Sequence, residues 1–180
     1  MTLVTAFTGH RVDAPERRDP RFPAALAPAV QAAMAKVVSG QCAVSSAANG
    51  GDLLFLELCQ RRGIDAHIVL PMPPAEFVAR SVRTDAPGDW EARFAMVWQA
   101  TPADRRHILS LDADQNPFAA CNRAVLDLAM ELGDRRQLVA LWDGETGDGS
   151  GGTADMIALA RQRKFDVTII DPALIARQAL

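Results

Sequence analysis

The sequence predicts a doubly wound α/β fold, in which a mostly parallel sheet carries helices on both faces. Short apolar runs such as residues 3–7 (LVTAF) and 137–142 (QLVALW) alternate with segments of ten residues or more that have helical patterns. Connections of that length join parallel strands by right-handed crossovers. The strands read as continuous apolar runs because helices would cover both of their faces. Ligands of such sheets bind beyond the carboxyl ends of the strands, where the strand order reverses.

The individual elements follow from apolar runs and from the residues that begin or end helices. Pro23 suits the first turn of a helix, and Gly63 suits the left-handed position that ends one. Asn116 is a helix N-cap candidate, and Pro71 closes a strand. We expect strands at residues 3–7, 41–46, 64–70, 106–111, 137–142 and 166–170. We expect helices at residues 24–38, 52–62, 75–83, 89–100, 117–132 and 154–163.

Composition excludes several classes of protein. The chain has 180 residues, of which 49% are apolar and 23% charged, and its net charge is −3. These values are not those of a disordered or a nucleoprotein-like chain. The length suits one domain over residues 1–180, since domains usually hold about 100–200 residues. No internal repeat and no linker divides the sequence.

The cysteines and the apolar runs bear on location. Cys42, Cys59 and Cys121 are an odd, widely spaced set with no CxxC pair, so we expect reduced thiols and no metal site. No apolar run reaches the roughly 18 residues that a membrane-spanning helix needs. The N-terminus lacks the basic start of a signal peptide. We therefore expect a cytoplasmic protein with no membrane partner.

Polar and small residues follow the first predicted strand. Gly9 permits close approach of the backbone to a ligand, while His10 and Arg11 suit phosphate or ribose. The alternative is a tight turn with a solvated arginine.

The loop after the second predicted strand consists of small residues from Ser46 to Asp52. Its amide groups, with the positive end of the following helix, predict an anion site that includes Gly50 and Gly51. Alternatively, Asp52 is only the N-cap and the glycines allow close helix–strand packing.

A third loop, residues 147–153 (GDGSGGT), again lies between a strand and a helix. Thr153 is placed to cap the helix, while Gly151 and Gly152 leave amide groups open to a phosphate. The alternative is a surface loop. The chain has neither the G-x-G-x-x-G fingerprint of dinucleotide-binding folds nor the G-x-x-x-x-G-K-[ST] of P-loop NTPases.

Four stretches together resemble the SLOG superfamily: TGHR, SSAANGGDLLFLE and VLP after the first three strands, and GGT before a late helix. This Rossmann-like group includes the DNA-processing Smf/DprA proteins and the LOG phosphoribohydrolases, and the stretches are similar to those of its sensor-like members. The resemblance covers nearly the whole chain and implies a pocket for a nucleotide or a nucleotide derivative. The residues that it places around that pocket are Gly9, His10, Arg11, Ser46, Gly50, Gly51, Asp52, Gly151, Gly152 and Thr153.

The catalytic acid of the LOG enzymes has no direct counterpart here. Their PGGxGTxxE motif ends in a glutamate that assists cleavage of the N-glycosidic bond, whereas GSGGTADM places Met156 at that position. Asp155 lies one position earlier, which rotates its side chain by about 100° on a helix. It stays a candidate for catalysis or for a ribose hydroxyl, and its alternative role is favourable charge in the first helical turn.

Two further residues are candidates with plain alternatives. Glu57 is a second candidate acid or a solvated helix residue. Arg80 shares a helix face with Arg83 and is a candidate phosphate ligand, although a solvated basic face is the commoner explanation of such a pair.

Three functions follow from these residues. We expect a domain that binds or senses a nucleotide-like small molecule, with no other cofactor and with a homodimer as a plausible assembly. The first alternative is N-glycosidic hydrolysis, with Asp155, Asp52 or Glu57 as the acid. The second is DprA-like binding of single-stranded DNA, which the net charge of −3 and the 6% aromatic content disfavour.

Overall fold

A computed structural model describes residues 1–146 and 149–178 of the chain. Its sheet has six parallel strands in the order β4-β3-β2-β1-β5-β6. The strands are β1 (Leu3–Gly9), β2 (Cys42–Ser45), β3 (Asp65–Leu70), β4 (Arg106–Ile108), β5 (Arg135–Leu141) and β6 (Asp166–Ile170). The helices are α1 (Ala27–Val37), α2 (Gly51–Arg62), α3 (Pro74–Phe77), α4 (Trp90–Ala100), α5 (Pro117–Leu132), α6 (Thr153–Gln162) and α7 (Pro172–Gln178).

The strand order reverses at β1, whose two neighbours are β2 and β5. The chain adds β2, β3 and β4 on one side and then returns to add β5 and β6 on the other. The connections after β1 and β5 therefore diverge and leave a crevice at the carboxyl edge, which is where doubly wound sheets bind ligands. The predicted doubly wound α/β fold is confirmed.

Helices cover both faces of the sheet and bury two separate cores. On one face, Phe7 of β1 stacks on Phe55 of α2 with ring centroids 4.7 Å apart. On the other face, Val4 and Ala6 pack with Leu126 of α5 and neighbouring residues of α6. Alternate β1 residues thus face opposite cores, as the period of a strand requires, and both faces are apolar.

The observed boundaries differ from the prediction in a few places. The helix predicted over residues 75–83 is α3 followed by a π-helical turn, Val78–Val82, and α1 is preceded by a 3-10 turn, Ala24–Leu26. Strand β4 has only three residues. Helix α7 was not predicted, because its seven residues after β6 carry little apolar periodicity.

Among the described residues, no helix combines the length and the apolar character that crossing a membrane requires.

Candidate functional site

A cavity of about 500 Å³ opens at the carboxyl edge of the sheet, beside the crevice between β1 and β5. Segments far apart in sequence build it: the connection after β1, the start of α2, the segment after β3, the first turns of α5 and the loop before α6. Its lining consists of Thr8, Gly9, His10, Arg11, Val12, Asp13, Ala14, Arg17, Arg21, Ser46, Ala48, Asp52, Phe77, Ser81, Thr84, Phe118, Cys121, Asn122, Ser150, Gly151, Gly152 and Thr153.

The structure brings most of the predicted site residues to this cavity. Those in the lining are Gly9, His10, Arg11, Ser46, Asp52, Gly151, Gly152 and Thr153. Those outside the lining are Gly50, Gly51, Glu57, Arg80 and Asp155. Of the third predicted loop, Gly147 and Asp148 lie outside the described residues.

Gly50 and Gly51 hold two loops together. Gly50 has a φ of +84°, and a Cβ there would lie 2.7 Å from the backbone nitrogen of Val12. The amide of Gly51 donates to the carbonyl of His10 at 3.0 Å, so it is occupied within the protein. The two glycines therefore seat the connection after β1 against the start of α2, as close packing requires.

Asp52 is a buried carboxyl group in the wall of the cavity. The N-cap of α2 is Gly50, so Asp52 is not the cap but the second helical residue. Its Oδ2 accepts a hydrogen bond from the amide of Ala48 at 3.1 Å. Burial raises the pKa of Asp52 to about 7, although the Ala48 amide and the charge of Arg11 act in the opposite direction. Near neutral pH this carboxyl group can hold or release a proton.

Arg11 presents a cation along the same cavity. Its Nη1 donates to the carbonyl of Arg80 at 3.3 Å. Partial burial lowers the pKa of Arg11, while Asp52 raises it, and the group stays charged because arginine does not deprotonate in proteins. Within residues 1–146 and 149–178, no carboxylate lies within 4.0 Å of its guanidinium. Arg11 can therefore accept an incoming anion.

Asp143, directly after β5, joins the two connections that flank the crevice. Arg21 donates to it through Nε at 2.6 Å and Nη2 at 2.9 Å, and Nε2 of His10 lies 3.0 Å from its Oδ1. The Arg21 hydrogen bonds, with smaller contributions from the Glu145 amide and His10, hold the pKa of Asp143 well below its ordinary value, while burial opposes them. This network fixes His10 in the cavity wall.

Arg17 and Asp13 form a second charge pair, with Nε and Oδ1 3.5 Å apart. The other oxygen of Asp13 accepts the backbone amides of Arg21 and Phe22. The side chain of Asp13 thus folds the long connection after β1 back on itself.

Asn49 joins two of the segments that build the cavity. Its side chain is buried, accepts from the amide of Val12 at 3.1 Å and donates to the carbonyl of Val82 at 3.0 Å. Its own amide donates to the carbonyl of Ser81. One side chain therefore fixes the connection after β1 to the segment after β3.

The glycine loop before α6 is held by asparagines of α5. Asn122 donates to the carbonyls of Gly151 and Gly152 at 3.0 and 3.3 Å. Asn116 caps α5 as predicted and also donates to the carbonyl of Ser150. Gly151 has a φ of +89°, and a Cβ there would lie 2.7 Å from the amide nitrogen of Ala119. The loop is therefore tightly packed against α5.

The start of α6 differs from the prediction. Gly152, not Thr153, is the N-cap, and Thr153 is the first helical residue. Asp155 reaches back, and its Oδ2 accepts from the amide of Gly151 at 3.0 Å. The amide of Gly152 donates to the carbonyl of Gly149. Donors remain at Thr153 and Ala154, whose amides bond to no acceptor in the described part of the chain.

The remaining candidates lie at or beyond the rim. The guanidinium of Arg80 sits over the ring of Phe118, 5.4 Å from its centroid, and Phe118 lines the cavity. Glu57 forms a double ion pair with Arg93 of α4, with both distances 2.6 Å. Arg80 therefore lies next to the cavity, whereas Glu57 lies away from it and is paired with Arg93.

The cysteines and histidines form no metal centre among the described residues, where no cluster of three ligating side chains occurs. All three cysteines are free. Cys121 lies in the cavity wall, where burial raises its pKa to about 12, so it remains a thiol. His67 of β3 and His107 of β4 stack on each other, with ring nitrogens 3.0 Å apart.

Sequence reasoning missed the cationic connection that holds Arg17 and Arg21. The length of this connection could have indicated it, because residues 10–23, between β1 and the first helical turn, contain no strand or long helix. Connections longer than about 12 residues without secondary structure are usually functional or disordered.

No protein-family model and no curated protein matches this chain. The resemblance to the SLOG superfamily therefore rests on the four sequence stretches and stays a prediction.

Proposed function

We propose that this protein binds a nucleotide or a nucleotide derivative in the cavity at the carboxyl edge of its sheet, as a sensor-like member of the SLOG superfamily. The observation that carries the proposal is Arg11, an accessible cation in a cavity that also holds the start of α6. A guanidinium and the amides of a helix N-terminus are both preferred phosphate ligands.

The size and composition of the cavity support a small molecule with polar and apolar parts. Its volume of about 500 Å³ falls within the range of roughly 300–1,000 Å³ that is usual for ligand sites. Phe118 supplies aromatic surface, while Ser46, Asn122 and Thr153 supply hydrogen-bonding groups. A base could stack on an aromatic ring while a phosphate meets Arg11.

The rigidity of the walls also supports binding. Asn49, Asn122 and the Asp143 network fix the surrounding loops by hydrogen bonds from other segments of the chain. A preformed site loses little conformational entropy when a ligand enters.

Hydrolysis of an N-glycosidic bond is the second candidate, and one observation favours it. Asp52 is buried in the cavity wall with a pKa of about 7, which suits a general acid for a departing base. Glu57 is paired with Arg93, and Asp155 is bonded to the Gly151 amide, so Asp52 is the best placed of the candidate acids.

Calorimetric titration with AMP, ADP-ribose and NAD tests the proposal, and chromatography of the same mixtures detects released base. We expect saturable binding of at least one of the three by the wild type, and a loss of at least tenfold in affinity for Arg11→Gln. Arg18→Gln is the matched control, since Arg18 lies in the same connection, is exposed and does not line the cavity. Absence of binding, or equal losses in both variants, would refute the proposal; release of base that Asp52→Asn abolishes would establish the hydrolase instead.

A further inference from the structure

Among the described residues, the charged side chains that line the cavity form ion pairs, except Arg11 and Asp52. Arg17 pairs with Asp13, and Arg21 pairs with Asp143 at 2.6 Å. The nearest acid that acts on Arg11 is Asp52, and the two do not come within 4.0 Å of each other in the described structure. An anion that approached Arg11 would therefore meet a second negative charge whenever Asp52 is ionised.

The two carboxyl oxygens of Asp52 differ in their hydrogen bonds. Oδ2 accepts from the Ala48 amide, whereas Oδ1 accepts no hydrogen bond from the described residues. The side chain lies in the cavity wall and is 7% exposed. When Oδ1 carries a proton, it can donate a hydrogen bond, as a carboxylate cannot. The same atom is thus repulsive to an anion in one protonation state and attractive in the other.

Several charged or titratable groups line the same cavity as Asp52. Arg11, from the connection after β1, stays charged, and Cys121 of α5 keeps its proton because its pKa is raised to about 12. His10, in the same cavity wall, is held by Asp143. Ala48 contributes only a backbone amide. Burial brings the pKa of Asp52 to about 7, within the range that ordinary buffers reach.

We propose that Arg11 and Asp52 act as a couple, so that the cavity takes up a phosphomonoester together with one proton. The phosphoryl group binds the guanidinium of Arg11, and the proton passes from solvent to Asp52, whose Oδ1 then donates to a phosphoryl oxygen. No covalent bond forms or breaks. This inference rests on the proposed nucleotide binding and adds the chemical class of the group bound, its place in the cavity and its dependence on pH.

The expected pH dependence follows from this linkage. Above pH 7.5 a phosphomonoester is already a dianion, because its second pKa is about 6. A change in affinity between pH 7.5 and 9 therefore reports a protein group and not the ligand. If binding requires a protonated Asp52, the affinity falls as the protonated fraction of Asp52 falls, by up to about tenfold for each pH unit.

The test is calorimetric titration of AMP at pH 7.5 and 8.5, in pairs of buffers with different ionisation enthalpies, which count the protons taken up. For the wild type we expect uptake that approaches one proton at pH 8.5 and a fall in affinity that approaches tenfold. Asp52→Asn preserves the acceptor for the Ala48 amide, and it should bind with no proton uptake and equal affinity at both values. Asp114→Asn makes the same chemical change at an exposed position outside the cavity and should behave as the wild type.

Three outcomes would overturn the inference. AMP binding without proton uptake refutes the couple and leaves nucleotide binding intact, as does an Asp52→Asn variant that keeps the pH dependence of the wild type. Proton release on binding would assign Asp52 to a sugar hydroxyl. If AMP, ADP-ribose and inorganic phosphate all fail to bind even at pH 6.5, the proposed function and this inference fail together. Should Asp52→Asn not fold, carbon NMR titration of the Asp52 carboxyl in the wild type, with and without AMP, decides: its pKa must rise on binding.

Discussion

Asp143 and Arg21 lie 122 positions apart in sequence and meet in a two-point ion pair, with Nε–Oδ2 at 2.6 Å and Nη2–Oδ1 at 2.9 Å. Each side chain is 11% exposed. The pair links the connection after β1 to the one after β5, at the point where the strand order reverses. It therefore closes one end of the crevice and holds His10 toward the cavity.

Replacing Asp143 by asparagine should destabilise the protein. The change removes a carboxylate from its two-point ion pair with the mostly buried guanidinium of Arg21, and we expect the free energy of unfolding to fall by about 2–4 kcal/mol. Urea unfolding at pH 7 measures the loss. Glu91→Gln is the control, because it removes an exposed ion pair with Arg83 that contributes little. Equal effects of the two substitutions would contradict the structural role of Asp143.

The ion pair of Asp143 and Arg21 also predicts that the free energy of unfolding falls at low pH. The pKa of Asp143 is lower in the folded protein than in the unfolded chain. Its contribution is therefore present above the unfolded value, about 3.9, and is lost as the pH falls below that value toward the folded pKa. Urea unfolding between pH 5 and 2 should show a steeper loss for the wild type than for Asp143→Asn. Parallel curves would mean that the pair is not ionised as we describe.

Asp52 predicts the opposite slope in a different pH range. Its pKa is raised to about 7 in the folded protein, so between about pH 4 and 7 only the folded state holds the proton. Stability should then fall as the pH rises through this range, by up to about 1.4 kcal/mol for each unit, and level off above it. Asp52→Asn should remove that slope and be the more stable protein at pH 8. If the difference in the free energy of unfolding between the wild type and Asp52→Asn stayed constant from pH 5 to 7, this assignment would be contradicted.

Gly50 and Gly63 form a matched pair for testing the packing of the loops. Both have positive φ, +84° and +66°, but a Cβ at Gly50 would meet backbone atoms at 2.7 Å, whereas nothing lies within 4 Å of one at Gly63. Gly63→Ala should cost about 1–2 kcal/mol from left-handed backbone alone. Gly50→Ala adds overpacking, together with a ψ of −124° that lies outside the left-handed helical region, so we expect about 3–5 kcal/mol in total. Thermal or urea unfolding of both variants gives the comparison, and similar losses would show that the two loops are not packed as described.

Asp155 supplies a test that separates loop geometry from catalysis. Its carboxylate accepts from the Gly151 amide, and Asp155→Asn weakens that contact without moving the residue. We expect AMP to bind severalfold more weakly, measured by calorimetry, with no change in any release of base. Loss of base release in this variant, with binding preserved, would return Asp155 to the role of a catalytic acid.

Local signals predicted most of the fold. The bounds of α5 follow from Asn116, whose side chain caps the helix, and those of β6 from a short β-branched run. The length of the crossovers predicted a mostly parallel sheet, and all six strands are parallel. Helix α7 was missed because a short helix at an edge depends on packing against α1 more than on its own pattern.

The site was predictable only as far as single loops reveal it. Gly9 ends β1, Arg11 lies in the connection after it, and Asp52 lies at the start of the helix after β2, so the parallel sheet brings them to one edge. The sequence does not show that Asp143 pairs with Arg21, or that Gly50 meets Val12 and not a ligand. Those contacts join distant segments, and only the folded chain fixes which partner each group finds. The N-cap of α6 is Gly152 and not the predicted Thr153. Asn122 of α5 holds Gly152 in that position through a hydrogen bond to its carbonyl.

A crystal structure of the protein with AMP or ADP-ribose tests the central claim most directly. We predict a phosphoryl group beside the guanidinium of Arg11, between Asp52 and the amides of Thr153 and Ala154, with the base toward Phe118. An occupied site elsewhere on the protein, or an empty cavity at nucleotide concentrations that saturate the protein in solution, would contradict it.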